Sequence, residues 1–335
     1  MKKSLRILCF SLLTLISTSF KPAKTSKHFT VKSIAPGVWA AINNDNYGHA
    51  ICNAGIVDLG DKTLIFDPFM NLDAAADLKE IAFELTGKQA SIIVNSHYHN
   101  DHVRGNQLFE NANIISSYWT KNQMAISEPA ELASEKISAP KSLINAKKKL
   151  LNSLTQKDKE ENIMWVGYYE GIIANNSLIK TKLPNLTFTD SLWIYGTKKN
   201  IKLIEFKNGH TQSDVVLFIP KDEAVFMGDL LFENRHPYLG HGNPNSWIKH
   251  LEEMITQPNM NVFVPGHGAV SNKSTLKLQK QYITEVQEMV ANSKLKLVPD
   301  SIIRKTPIMP AYQNWKFDRF YGANVSFLIK QQAIK

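Results

Sequence analysis

At 335 residues, 43% hydrophobic and 21% charged, the chain has the length and composition of a folded globular protein, either one large α/β domain or two small ones. Those proportions exclude a disordered or collagen-like chain, and a single short apolar run excludes a polytopic membrane protein. The net charge of +9 is spread along the chain rather than gathered on one face or tail, so no nucleic-acid partner is expected, and two cysteines cannot build a disulfide framework.

The first predicted element is an address. Lys2, Lys3 and Arg6 precede an apolar stretch from Ile7 to about Ile16, followed by Ser17-Thr18-Ser19. A basic start, a short apolar middle and small residues before the cut describe a signal peptide over 1–19. The run is roughly half the ~20 residues a bilayer span requires, so no stable membrane anchor is expected. The mature chain is then periplasmic or secreted. It keeps one thiol, Cys52, and depends on its core rather than on cross-links.

Short strand-like runs follow at Val38–Ile42, Ala50–Leu59 and Thr63–Asp67, separated by turn residues. Asp73 is expected to cap a helix bearing Leu78, Ile81, Ala82 and Leu85 on one face, with Gly87 as its stop. Ile92–Val94 is an all-apolar strand, as expected where both faces are buried. Residues 120–190 form a Lys/Glu-rich insertion, helix-prone from Ala130 to Glu161. Strands resume at Lys202–Phe206, Asp214–Ile219 and Ala224–Met227. Ser246 is expected to cap a helix with Trp247, Leu251 and Met254 on one face. Val262–Val264 is a strand, and Leu278, Tyr282, Val286 and Met289 mark a long late helix. Strands alternating with helices indicate a layered α/β domain over 29–335, ending in a packed tail at about 295–335.

The histidines carry the chemistry. After Ile92–Val94 the chain reads His97-Tyr98-His99-Asn100-Asp101-His102. In extended backbone His97 and His99 face one side and can share a metal. Asp101 and His102 lie where the chain turns, so this one loop can serve two neighbouring ions. His210, Asp229 and His267 each follow an apolar strand and each adjoin a glycine. Sites in α/β folds gather at such strand ends.

This order, His97-x-His99-x-Asp101-His102 with His210, Asp229 and His267, resembles the metallo-β-lactamase-fold hydrolase superfamily from about residue 32 to about 291. The resemblance implies a four-layer αββα sandwich, with the helical segment as an insertion and a dinuclear site at one edge of the sheets. It implies that His97, His99 and His210 hold one ion, that Asp101, His102 and His267 hold the other, and that Asp229 bridges them. Asp67 matches an acid that orients a ligand imidazole. A ligand set of imidazoles and carboxylates suits two zinc ions and tolerates iron or manganese. The implied chemistry is hydrolysis of a small-molecule substrate by a metal-bridging hydroxide that Asp101 orients. The lactamase members carry Cys, or no bridging ligand, where Asp229 stands. An ester, lactone, thioester or phosphoester is therefore expected ahead of a β-lactam, with a mononuclear-iron sulfur dioxygenase of the same fold as a further alternative. The remaining histidines, His28, His49, His236, His241 and His250, are read as hydrogen-bonded or solvated, with His241 and Arg235 candidates to border the pocket. Cys52 is read as a small buried residue. Trp165, Tyr168 and Tyr169 form one helical stripe, read as packing of the insertion.

Overall fold

The computed structural model describes residues 25–332, so the signal peptide expected over 1–19 lies outside the described residues. Two sheets stack face to face. The first holds seven strands in sequential order: β1 (Phe29–Ala35), β2 (Val38–Asn43), β3 (Ala54–Asp58), β4 (Thr63–Phe66), β5 (Ala90–Val94), β6 (Asn113–Ser117) and β7 (Leu186–Phe188). It is antiparallel from β1 to β4 and parallel from β4 to β7. The second sheet runs β12-β11-β10-β9-β8, where β8 is Ser191–Ile194, β9 Ile201–Lys207, β10 Ser213–Ile219, β11 Ala224–Phe226 and β12 Val262–Val264.

Residue alternation along the strands separates the layers. Val57, Leu64, Phe66, Ile92 and Val94 point between the sheets and meet Leu203, Val215, Leu217 and Phe226. Their neighbours Ile56, Ile65 and Ile93 point the other way, onto α1 (Leu72–Thr86) through Leu78, Ile81 and Ala82. Val216, Phe218 and Val225 leave the far face of the second sheet and pack on α5 (Pro244–Thr256), α6 (Lys273–Leu295) and α8 (Asp318–Gln332). The result is the four-layer αββα sandwich that the resemblance implies. Residues in the tail, Tyr312, Trp315, Phe317 and Tyr321, are buried in the same cluster as Trp247 and Tyr282.

The 120–190 segment is the crossover of the parallel β6–β7 pair. It is a helical hairpin of α3 (Tyr118–Leu151) and α4 (Gln156–Asn175), broken at residues 152–155 rather than continuous, with Thr155 capping α4 through its hydroxyl. Two other caps lie two and three residues earlier than expected. Asn71, not Asp73, accepts the free N–H groups of α1, and Asn243, not Ser246, those of α5. Strand β3 is shorter than Ala50–Leu59 because Ile51 lies at φ +59°, which extended pairing cannot accommodate. That kink turns the chain toward the strand ends where the histidines gather.

Candidate metal centre

Four of the sequence-predicted ligands come from one turn. Beyond β5 the chain passes through Asn95 and Ser96 to His97, and His99 stands in extended conformation at the start of the short helix α2 (Asn100–Val103). His97 and His99 thus share a side, while Asp101 and His102 ride on the helix and diverge from them. His210 lies in the turn between β9 and β10, Asp229 in a 3₁₀ turn after β11, and His267 in the bend after β12.

The fold brings all seven together as two adjoining clusters. His99 Nδ1 lies 2.9 Å from His97 Nε2 and 3.0 Å from His210 Nε2. Asp101 Oδ2 lies 3.4 Å from both His102 Nε2 and His267 Nε2. Asp229 belongs to both clusters. Its Oδ2 is 3.8 Å from His97 Nε2 and 3.4 Å from His210 Nε2, while its Oδ1 is 3.2 Å from His102 Nε2 and 3.3 Å from His267 Nε2. Glycine makes this approach possible. A Cβ on Gly266 would stand 2.0 Å from Asp229 Oδ1, and Gly228, at φ +51°, would place one 2.6 Å from Ser96 Cβ.

Contacts behind the rings fix which nitrogen faces inward. His210 Nδ1 donates to the Tyr238 carbonyl at 3.0 Å and His267 Nδ1 to the Ile51 carbonyl at 2.9 Å. His102 Nδ1 lies 2.8 Å from Asp67 Oδ2, whose other oxygen accepts from Ser96 N. In each ring the hydrogen is held outside and the Nε2 lone pair turns to the cluster. His99 is reversed, with Nδ1 inward and Nε2 2.8 Å from His241 Nδ1.

This donor set fits divalent ions. His102 Nε2 and Asp229 Oδ1 are buried without a hydrogen-bond partner, a costly arrangement unless a cation satisfies them. Burial depresses His97 and His99 well below the usual histidine range and takes His210 to about 4, so all three are neutral, the form that ligates. The other cluster is rich in negative charge. Burial opposes ionisation of Asp101, yet His102 and His267 bring it down to about 2. Burial also works to lower His102, but the carboxylates Asp101, Asp229 and Asp67 push it well above its ordinary value. A positive charge is wanted at that point, and a metal ion supplies one.

Residues 47–267 match the sequence profile of the Metallo-beta-lactamase superfamily, a span that holds all seven clustered side chains and Asp67. The chain belongs to the metallo-beta-lactamase superfamily. Its relatives there are metal-dependent hydrolases. The Metallo-beta-lactamase type 2 of Bacteroides fragilis is 24% identical over 110 residues, which is 32% of this chain and 44% of that protein's length. Among solved structures, the metallo-beta-lactamase from Pontibacter korlensis superposes with a TM-score of 0.53 at 17% identity, covering 76% of this chain and 99% of that one. VMB-1 superposes at 0.56 and 15% identity, covering 78% and 99%. At such identities the likeness is one of fold.

Above the clusters this superfamily member has a cleft of about 100 Å³, walled by Trp165 and Tyr168 of α4, by Phe232 and Tyr238, and by Phe317 and Phe320 at the start of α8. The aromatic stripe of the insertion therefore packs and also lines the cleft. His241 does reach the centre, through His99 and through Tyr98 Oη at 2.9 Å, whereas Arg235 turns to Asp45 at 2.7 Å. Cys52 is buried, and its Sγ donates to the Asp101 carbonyl at 3.0 Å; burial raises the thiol's pKa, which keeps it a donor. Its sulfur also lies within 4.8 Å of ligand atoms of Asp101 and His102. His241 is a candidate for the pocket's border from its loop soon after Asp229, whereas Cys52 carries no signal, since a lone cysteine is ordinary until the fold places it.

Proposed function

We propose that this protein is an exported hydrolase that uses two zinc ions to cleave an ester, lactone, thioester or phosphoester. The placement of Asp229, with one carboxylate oxygen toward each cluster, carries the reading. In it, His97, His99 and His210 would hold one ion and Asp101, His102 and His267 the other, with Asp229 serving both. Divalent ions so held supply Lewis acidity and lower the pKa of a water toward neutrality.

The chain's own groups do the rest. Asp101, anionic at any working pH, accepts a hydrogen bond from the attacking water and so aims its lone pair. The aromatic walls take the apolar part of the substrate and thin out bulk water around the reacting bond. With Asp229 set between them, each cluster already has four donors, which leaves little room to assist the poor amide-type leaving nitrogen of a β-lactam. Alkoxide and thiolate leaving groups need less help.

One observation favours a second reading, β-lactam hydrolysis: the relatives found in both sequence and structure are named as metallo-beta-lactamases. A single panel separates the two. Elemental analysis of the mature chain is expected to give two zinc ions, and kcat/KM for lactone, ester, thioester and phosphoester substrates should exceed that for β-lactams. A β-lactam that leads by tenfold, about 1.4 kcal/mol of transition-state preference, establishes the second reading instead. One bound iron and no zinc points to the sulfur dioxygenase.

A further inference from the structure

Arg319 is a cation in an otherwise largely apolar cleft wall. It lies on α8, beyond the 47–267 span that matches the superfamily. Its guanidinium sits 3.1 Å from the centre of the Trp165 ring, and Nη1 donates to Tyr169 Oη at 2.9 Å. These two contacts hold the fork flat and aimed without neutralising it. Among the described residues no carboxylate pairs with it. The adjacent Asp318 is bound to Lys157 Nζ at 2.6 Å, and Glu161 accepts from Trp165 Nε1 and from the backbone of Asp318. Arg319 and Trp165 also line an open groove between α3, α4 and α8, so they form the partition where that groove meets the cleft. An arginine left exposed, pre-oriented and without an acidic partner at the mouth of an aromatic cleft is equipped to take a planar anion in bidentate fashion.

We propose that Arg319 determines specificity by binding a carboxylate carried on the apolar body of the substrate, so that the preferred substrates are anionic acyl compounds rather than neutral ones. The inference rests on the cleft being the substrate site, as argued above, and its test does not require turnover.

Phenylbutyrate and its uncharged amide, phenylbutyramide, are titrated by calorimetry into the zinc-loaded wild-type protein, Arg319→Gln and Arg319→Lys. Glutamine keeps the stem over Trp165 and removes the charge; lysine keeps a charge and loses the fork. The wild type is expected to bind the carboxylate roughly tenfold more tightly than the amide. Arg319→Gln should abolish the difference by weakening the carboxylate alone, and Arg319→Lys should retain part of it. The proposal is overturned if Arg319→Gln weakens both ligands alike, which is mere packing, if the preference survives in that variant, which assigns the anion to the metal ions, or if neither ligand binds. Should the expected pattern hold while no member of the substrate panel is hydrolysed, the anion site stands and the hydrolase reading falls. The reverse result separates them the other way.

Discussion

Asp67 lies in left-handed backbone at φ +53°, a conformation that costs a non-glycine residue on the order of 1 kcal/mol. The strain is offset by what the carboxylate does there, holding Ser96 N at 2.7 Å and His102 Nδ1 at 2.8 Å. Asp67→Asn keeps the shape and weakens the grip on the imidazole. Affinity for the second ion is expected to fall about 10- to 100-fold while the first is retained, read by competition with a metal-sensing dye. Equal loss at both positions, or none, would refute the assigned role. Gly266 offers a test that alters no ligand. Gly266→Ala drives a methyl group into Asp229 Oδ1, so metal content should drop below two ions per chain and stability should fall by about 1–3 kcal/mol. Normal metal content in that variant would show that Asp229 has latitude the packing denies it.

At the scale of elements, one arginine ties the insertion to the ligand-bearing turn. Arg104, buried just past α2, faces Glu128, Glu131 and Glu135 of α3, with Nε 3.1 Å from Glu128 and Nη1 2.8 Å from Glu135. Glu135 also accepts from Asn100 Nδ2 at 3.0 Å. Three acids surround one base, and burial together with Glu128 lifts Glu131 to about 7. Arg104→Met removes the base and leaves the Glu128 carboxylate buried without its partner. A loss of about 3–5 kcal/mol in chemical denaturation is expected, part of it recovered by adding Glu128→Gln. An Arg104→Met protein of unchanged stability would mean that the cluster is solvated.

The same helix shows what the sequence could and could not disclose. The His97–His102 turn was legible because ligand-competent side chains crowd six positions after a short buried strand, and α1 because Leu78, Ile81 and Ala82 keep a helical period. The start of α3 at Tyr118 was not, since Pro129 and Pro140 lie within the helix and each carries a penalty of ~3 kcal/mol that only packing can offset. Caps slipped by two or three residues because Asn, Asp and Ser near a helix start are chemically interchangeable until the backbone chooses one. Cys52 and Arg319 were invisible, and His241 was legible only as a candidate for the pocket's border, for a different reason. His241 meets His99 across 142 positions of sequence, and no local pattern encodes such a meeting.

For the whole molecule, two conditions set stability. Chelation removes the charge that reconciles Asp101, Asp229 and the converging imidazoles. Tm should fall on chelation and return with added zinc, by an amount equivalent to about 4 kcal/mol when free metal exceeds Kd a thousandfold. A Tm indifferent to chelator would count against resident ions. Acid is the second condition. His236 is buried beside Tyr282, Trp315 and Tyr321, its Nε2 has no hydrogen-bond partner, and burial takes its pKa down to about 3. The folded value lies below the unfolded one, so the unfolded chain binds the proton first. Stability is whole above about pH 6.5 and drains as pH falls toward 3. Between pH 7 and 5 this one group should cost about 2 kcal/mol, and His236→Gln should lose that much less than the wild type over the same interval. Comparing the two proteins cancels the titration of the ligands; parallel losses would clear His236 of the effect.

The seven-stranded sheet and the turn after β5 contribute His97, His99, Asp101 and His102, while the five-stranded sheet contributes His210, Asp229 and His267. With the ions seated as proposed, each one is gripped from both sides of the seam. A chain severed between Phe188 and Ser191 would yield two fragments, neither owning a complete set of ligands for either ion. Zinc would then be the clasp between them. Reunion would track free zinc as closely as fragment concentration, and a chelator would part the two pieces on dilution. In the intact chain the same arrangement makes scarcity of metal a loosening of the body itself, felt along the seam before any substrate arrives.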